Sequence, residues 1–93
     1  MTAFRNKVIR TSGAEEEITG RASIVGIEKA IGAETLDTVN LRDGRVMLVD
    51  DLGMAKNLPL NAAATKLYHG VCRAGTTHQI RGDVAVVYDS DFA

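Results

Sequence analysis

The sequence predicts an α+β domain, a small and mostly antiparallel sheet with one main helix and one short helix. Three observations carry that expectation. Ile24, Ile27 and Ile31 stand at i, i+3 and i+7, with Val25 and Ala30 beside them, which makes an apolar stripe of helical period. "TLDTVNL" and "RVMLVD" flank Asp43-Gly44, a hairpin signal. Near the C-terminus Val84, Val86 and Tyr88 alternate with Ala85 and Val87, the period of a strand. The order strand, helix, hairpin, short helix, strand fits one sheet covered on one face by the first helix.

Each element has a local reason. "AFRNKVIR" mixes β-branched and aromatic residues in partial alternation and is expected to form a strand over residues 3–10. "TSGAEEE" follows as a polar turn, with the three glutamates as a solvated face. The main helix is placed at about 20–31. Thr19 or Ser23 can cap its start, and Gly32 suits its left-handed end. Asp43-Gly44 suits a tight type I′ turn, since both central residues need positive φ. Beyond it, Val46, Leu48 and Asp50 face one way and Met47 and Val49 the other. "DDLGMAKNLPL" reads as a loop with Gly53 at a turn. Asn61 then caps a short two-turn helix in "AAATKLYHG", stopped by Gly70. "CRAGTT" connects it to "HQIRGDVAVVYD", which supplies the last strand, and Gly82 inside that strand suggests a bulge or a close backbone approach.

The whole chain sets bounds on function. Its 93 residues make a single domain, 1–93, with no room for a second core. The composition is 45% apolar and 25% charged, ordinary for a soluble globular protein. A net charge of −1, with Arg and Lys scattered along the sequence, argues against direct nucleic-acid binding, which rests on neutralising phosphates. One cysteine excludes an internal disulfide and fits a reducing cytoplasm. No signal peptide and no stretch near the roughly 20 apolar residues of a membrane span is present, so an intracellular, soluble protein is expected.

A pattern of residues carries a resemblance. Asp43-Gly44, Leu58-Pro59-x-Asn61, Ala64-Thr65 and Ile80-x-Gly82-Asp83-Val84 occur in that order over roughly residues 20–90. In this the chain resembles an uncharacterised small domain of bacteriophages, prophages and plasmids. The resemblance implies an accessory protein of a mobile element, acting by binding in the cytoplasm of a bacterial host; it lends no catalytic residues.

Candidate chemistry concentrates between Asn61 and Asp83. His69, Cys72 and His78 have the chemistry of metal ligands, and Asp83 could add a fourth. One cysteine in a His-x2-Cys-x5-His arrangement lacks the spacing of a structural zinc site, and no metal is expected. Cys72 as a nucleophile paired with His69 or His78 is disfavoured by its place after a helix, where the dipole raises a thiol's pKa. Arg73, Thr76, Thr77, His78 and Arg81, with the Gly75 backbone, could hold an anion through charge-assisted hydrogen bonds. The Gly-Lys-Ser/Thr of a phosphate loop is missing. Arg81-Gly82-Asp83 is read as structural rather than adhesive. Asn61 and Thr65 are explained by capping and backbone hydrogen bonding.

The leading expectation is a non-enzymatic protein with no cofactor that binds and inhibits a host protein, in concrete form an immune-defence protein such as one of CRISPR. Tyr68, His69, Arg73, Thr76, Thr77, His78 and Arg81 are its candidate contact residues. The alternative is an oligomer that sequesters a nucleotide-type immune signal through Arg73, Thr76, Thr77, His78 and Arg81. Hydrolysis by His78 and Asp83 comes third. A homodimer is expected, since a small core and short edge strands both favour association.

Overall fold

The computed structural model describes residues 6–18, 23–41, 44–53, 55–71 and 79–88, with side chains described to residue 70 in the fourth segment. The elements are β1 (Lys7–Ile9), β2 (Glu15–Glu17), α1 (Ile24–Ile31), β3 (Leu36–Asn40), β4 (Arg45–Asp50), α2 (Ala62–Val71) and β5 (Val84–Tyr88). The five strands form one sheet in the order β2-β1-β5-β4-β3, antiparallel at every described pairing. The α+β class holds.

Three local expectations are corrected. The three glutamates form β2, paired Lys7–Glu17, Val8–Glu16 and Ile9–Glu15, rather than a turn. The last strand begins at Val84, and Arg81 makes only a bridge to Leu60. Gly70 does not stop α2, which runs through it to Val71. In the hairpin, Leu41 N donates to Arg45 O (3.0 Å), and Asp43 of the expected turn lies outside the described residues. Gly44 has φ 83°, the positive φ expected of it. The Thr19 cap proposed for α1 lies outside the described residues, and Ser23 does the work. Its hydroxyl accepts from Gly26 N at 3.0 Å, and Gly32 closes the helix at φ 71°.

Both faces of the sheet are covered, where only one was expected. Successive strand residues point to opposite faces, so Val8, Val46, Leu48, Ala85 and Val87 pack against Ile27 and Ile31 of α1. Ile9, Met47, Val84 and Val86 pack against Ala64, with Leu67 and Tyr68 partly buried beside them, on the α2 side. Burying a side chain such as Met47 or Val86, each fully inaccessible, contributes about 1.5–3 kcal/mol. The outer end of the predicted α1 stripe is less buried: Ile24 and Val25 are exposed.

Arg10 ties the α1 side together. Its guanidinium donates to both Glu16 carboxylate oxygens (2.9 and 2.7 Å), to Asp83 Oδ2 (3.0 Å) and to Ala30 O at the end of α1 (2.6 Å). Hydrogen bonding to Glu16 and then Asp83 pushes the Arg10 pKa further up, and the same contact holds Glu16 below its ordinary range.

The two borders of the sheet, among the described residues, are β2 and β3. Bonds from Leu41 N to Arg45 O and from Asp51 N to Thr35 O fix odd-numbered residues of β3 toward β4. Leu36, Thr38 and Asn40 therefore turn their backbone groups outward. Thr38 N donates to its neighbour's Asp37 Oδ1 at 2.9 Å.

Asp50, with its side chain 1% exposed, organises the turn after β4. It accepts from Leu52 N (2.8 Å) and from Lys56 Nζ (2.8 Å), and Gly53 N reaches its carbonyl at 3.0 Å. Burial acts to raise the Asp50 pKa, but the bonds from Lys56 and Leu52, together with the Lys56 charge, bring it below its usual value. An acid whose native pKa is depressed stabilises the fold fully above its unfolded pKa, about 3.9. That stabilisation is lost as pH falls through the lower native value. The gap in melting temperature between the parent and Asp50→Asn is thus expected to be widest near neutrality and to close progressively at acid pH, in thermal melts run across that range. A gap independent of pH would refute the assignment.

Candidate functional site

Leu58, Pro59, Asn61, Ala64, Thr65, Ile80, Gly82 and Asp83 converge on one place, the joint between α2 and the approach to β5, while Gly44 lies apart in the β3–β4 hairpin. Residues 59–61 pair with 80–82: Gly82 N donates to Pro59 O (2.8 Å) and Asn61 N to Ile80 O (2.9 Å). Asn61 is fully buried. Its Oδ1 accepts from Ala64 N at 3.0 Å, the expected cap. Its Nδ2 donates to Ile9 O and to Gly82 O, both at 3.0 Å, which joins α2 to β1 and to the β5 approach. Thr65 Oγ1 accepts from Ile80 N (2.9 Å) and donates to Ile80 O (3.3 Å). Gly82 has φ 82°, and a Cβ there would lie 2.8 Å from Leu58 Cδ1, so the close approach expected at this glycine is present. Asp83 accepts from Thr11 N (2.9 Å) as well as from Arg10. These polar groups hold the scaffold.

Sequence-predicted contact residues separate into three groups. Arg73, Thr76, Thr77 and His78, like Cys72, lie outside the described residues. Tyr68 and His69 are on α2: Tyr68 half-buried against the core, His69 exposed, their rings 6.0 Å apart and tilted by 48°. Arg81 instead donates to Leu58 O (3.0 Å) and lines a small depression of about 150 Å³ with Asp37, Asp50, Asp51 and Gln79. Neither Tyr68 nor His69 lines that depression. Among the described residues, no group of three or more His, Cys, Asp or Glu is arranged to hold a metal.

A larger groove opens on the α2 side of the sheet, about 470 Å³ in volume. That is within the usual size of ligand clefts, roughly 300–1,000 Å³. Ile9, Leu41, Ala63 and Leu67 give it apolar walls, and Lys7, Arg45, Lys66 and Glu15 give it charge. Strand alternation explains the placement. Val8 and Val46 point to the α1 core, so Lys7 and Arg45 beside them point to the α2 side. Lys7 Nζ contacts Glu15 Oε1 at 3.0 Å across the β1–β2 pairing. The basic residues are scattered in sequence, and none of these three was singled out there. The register of β1 and β4 with β5 collects them. Chemically the groove can bury apolar surface and pair with anions.

No protein-family model matches this chain, and no curated protein or solved structure does either. No helix among the described residues is long and apolar enough to cross a membrane.

Proposed function

We propose that the chain is a non-enzymatic binding protein of a phage or other mobile element that occupies and inhibits a host protein, an immune-defence protein in its concrete form. The groove on the α2 side carries this reading: an apolar hollow that also holds Lys7, Arg45, Lys66 and Glu15 is equipped to grip a partner, and its described lining has no nucleophile paired with a base. Supporting it, Asn61, Thr65, Asp83, Asp50 and Arg10 are engaged in hydrogen bonds that build the fold. Tyr68 and His69, on the same helix as Lys66 and Leu67, would extend the contact beyond the groove. The resemblance to phage and plasmid domains supplies the setting. A homodimer belongs to the proposal, and native mass measures it.

The test is functional. Expression of the chain in a bacterium carrying an active defence should raise phage plating efficiency, and a defence component should co-purify with it at fixed stoichiometry. Unchanged plating efficiency across a panel of defence systems, with nothing co-purifying, would overturn the proposal. A nucleotide-sequestering role rests on Arg73, Thr76, Thr77 and His78 and on Arg81, whose guanidinium is already bonded to Leu58 O. Thermal stabilisation by a nucleotide would favour it, because a ligand of the native state must raise the melting temperature.

A further inference from the structure

We infer that β2 is an ion-latched strap: it leaves the sheet and returns while β1, β5, β4 and β3 stay folded, and its leaving opens the edge of β1.

The residues of β2 give it little reason of their own to be a strand. Glutamate is depleted in strands, and three in succession repel one another. All three are exposed, so the strand buries no apolar side chain. Backbone pairing and charge fasten it. Ile18 N donates to Asn6 O (2.7 Å) and Arg10 N to Ala14 O (2.8 Å), which makes Val8 and Glu16, midway between, a mutually bonded couple. Along the same pairing the Arg10 guanidinium meets both Glu16 carboxylate oxygens, and Lys7 Nζ meets Glu15 Oε1 at 3.0 Å. The Glu15 and Glu16 side chains remain 54% and 57% exposed, so solvent and salt reach both ion pairs.

The strand beneath has anchors of its own. Val8 is buried in the α1-side core and Ile9 in the α2-side core, and Lys7 and Ile9 pair with Val86 and Val84 of β5. Asn6 Oδ1 accepts from Tyr88 N (2.9 Å), and Thr11 N donates to Asp83. When Glu16 departs, Arg10 keeps its bonds to Asp83 and Ala30 O. Ile18, packed against the α1-side core, and the turn at Gly13, φ 92°, are the fixed ends between which the strap moves. Its opening is therefore local, of the kind that precedes global unfolding. It bares the main-chain groups of Val8 and Arg10, an edge to which an extended strand can add. It also withdraws Glu15 from the lining of the α2-side groove, so one movement changes both the sheet edge and the groove.

The full chain is followed by native-state amide hydrogen exchange, with rates corrected for local sequence. The amides of Val8, Arg10 and Glu16 report on the strap. Those of Ala85 and Val87, paired with Leu48 and Val46 inside the sheet, report on global unfolding. The strap amides are expected to exchange at least about tenfold faster than the central ones and to respond less to denaturant. Raising the ionic strength from about 0.1 to about 1 M shortens the screening length from roughly 10 to 3 Å and should speed them severalfold. The double variant Glu15→Gln/Glu16→Gln should exchange at low salt about as fast as the parent does at high salt, with little response to further salt. Equal rates and equal denaturant dependence in the two sets of amides would mean that β2 leaves only with the whole fold, and the inference fails. Strap exchange indifferent to salt and to the double substitution would equally sink it, since the latch is then not ionic.

Discussion

Asn61→Ala is expected to lower stability by about 3–5 kcal/mol, from the loss of an N-cap and of hydrogen bonds to several buried groups. The side chain is fully inaccessible and serves three partners: the Ala64 amide and the carbonyls of Ile9 and Gly82. Alanine leaves all three without it and opens a void at the meeting point of α2, β1 and the β5 approach. A domain of this size has in total roughly 5–14 kcal/mol, so the variant should be near the threshold of folding. Denaturant titration should show a lower midpoint at an unchanged slope, the mark of altered stability alone. Asn61→Asp separates the roles. It keeps the acceptor for Ala64 N but turns an acceptor toward two carbonyls, so it should cost as much as alanine. Its penalty should ease as pH falls and the buried carboxyl takes up a proton. An Asn61→Asp protein as stable as the parent near neutral pH would refute the donor role.

Gly82→Ala carries the second large effect, about 2–3 kcal/mol, from backbone strain plus steric conflict. At φ 82° an L-residue is strained whatever the space around it, and here the new methyl would meet Leu58 Cδ1 at 2.8 Å. Leu58 ends in a flexible, half-buried side chain, so the conflict is partly relieved by its movement. Combining Gly82→Ala with Leu58→Ala should recover the steric share and leave the backbone share. A double-mutant cycle would thus show a coupling of about 1 kcal/mol. Zero coupling would mean that backbone strain alone sets the cost.

How much of this was legible follows from which signals are local. The α1 stripe, its Ser23 and Gly32 ends, the hairpin and the Asn61 cap depend on residues within a few positions of each other, and the structure has them. Glu15–Glu17 has little strand propensity. It becomes β2 because β1 offers a partner, with Lys7 and Arg10 to pair Glu15 and Glu16. The two-sided covering was present in β5 and unused. Val84, Ala85, Val86 and Val87 are all apolar, the mark of a strand buried on both faces. Gly70 was read as a stop, but no left-handed conformation is needed where the helix simply continues. The groove was invisible because Lys7, Arg45 and Lys66 meet only through strand register and the seating of α2. The sequence signals of chemistry lie instead in Thr76, Thr77 and His78, outside the described residues.

The borders of the sheet have a consequence for crowding. On one side three successive carboxylates would face their own images if two molecules aligned there. On the other, an outward amide is already held by the neighbouring Asp37, and any incoming strand would have to displace that bond first. Stacking into fibrils is thereby discouraged at both flanks.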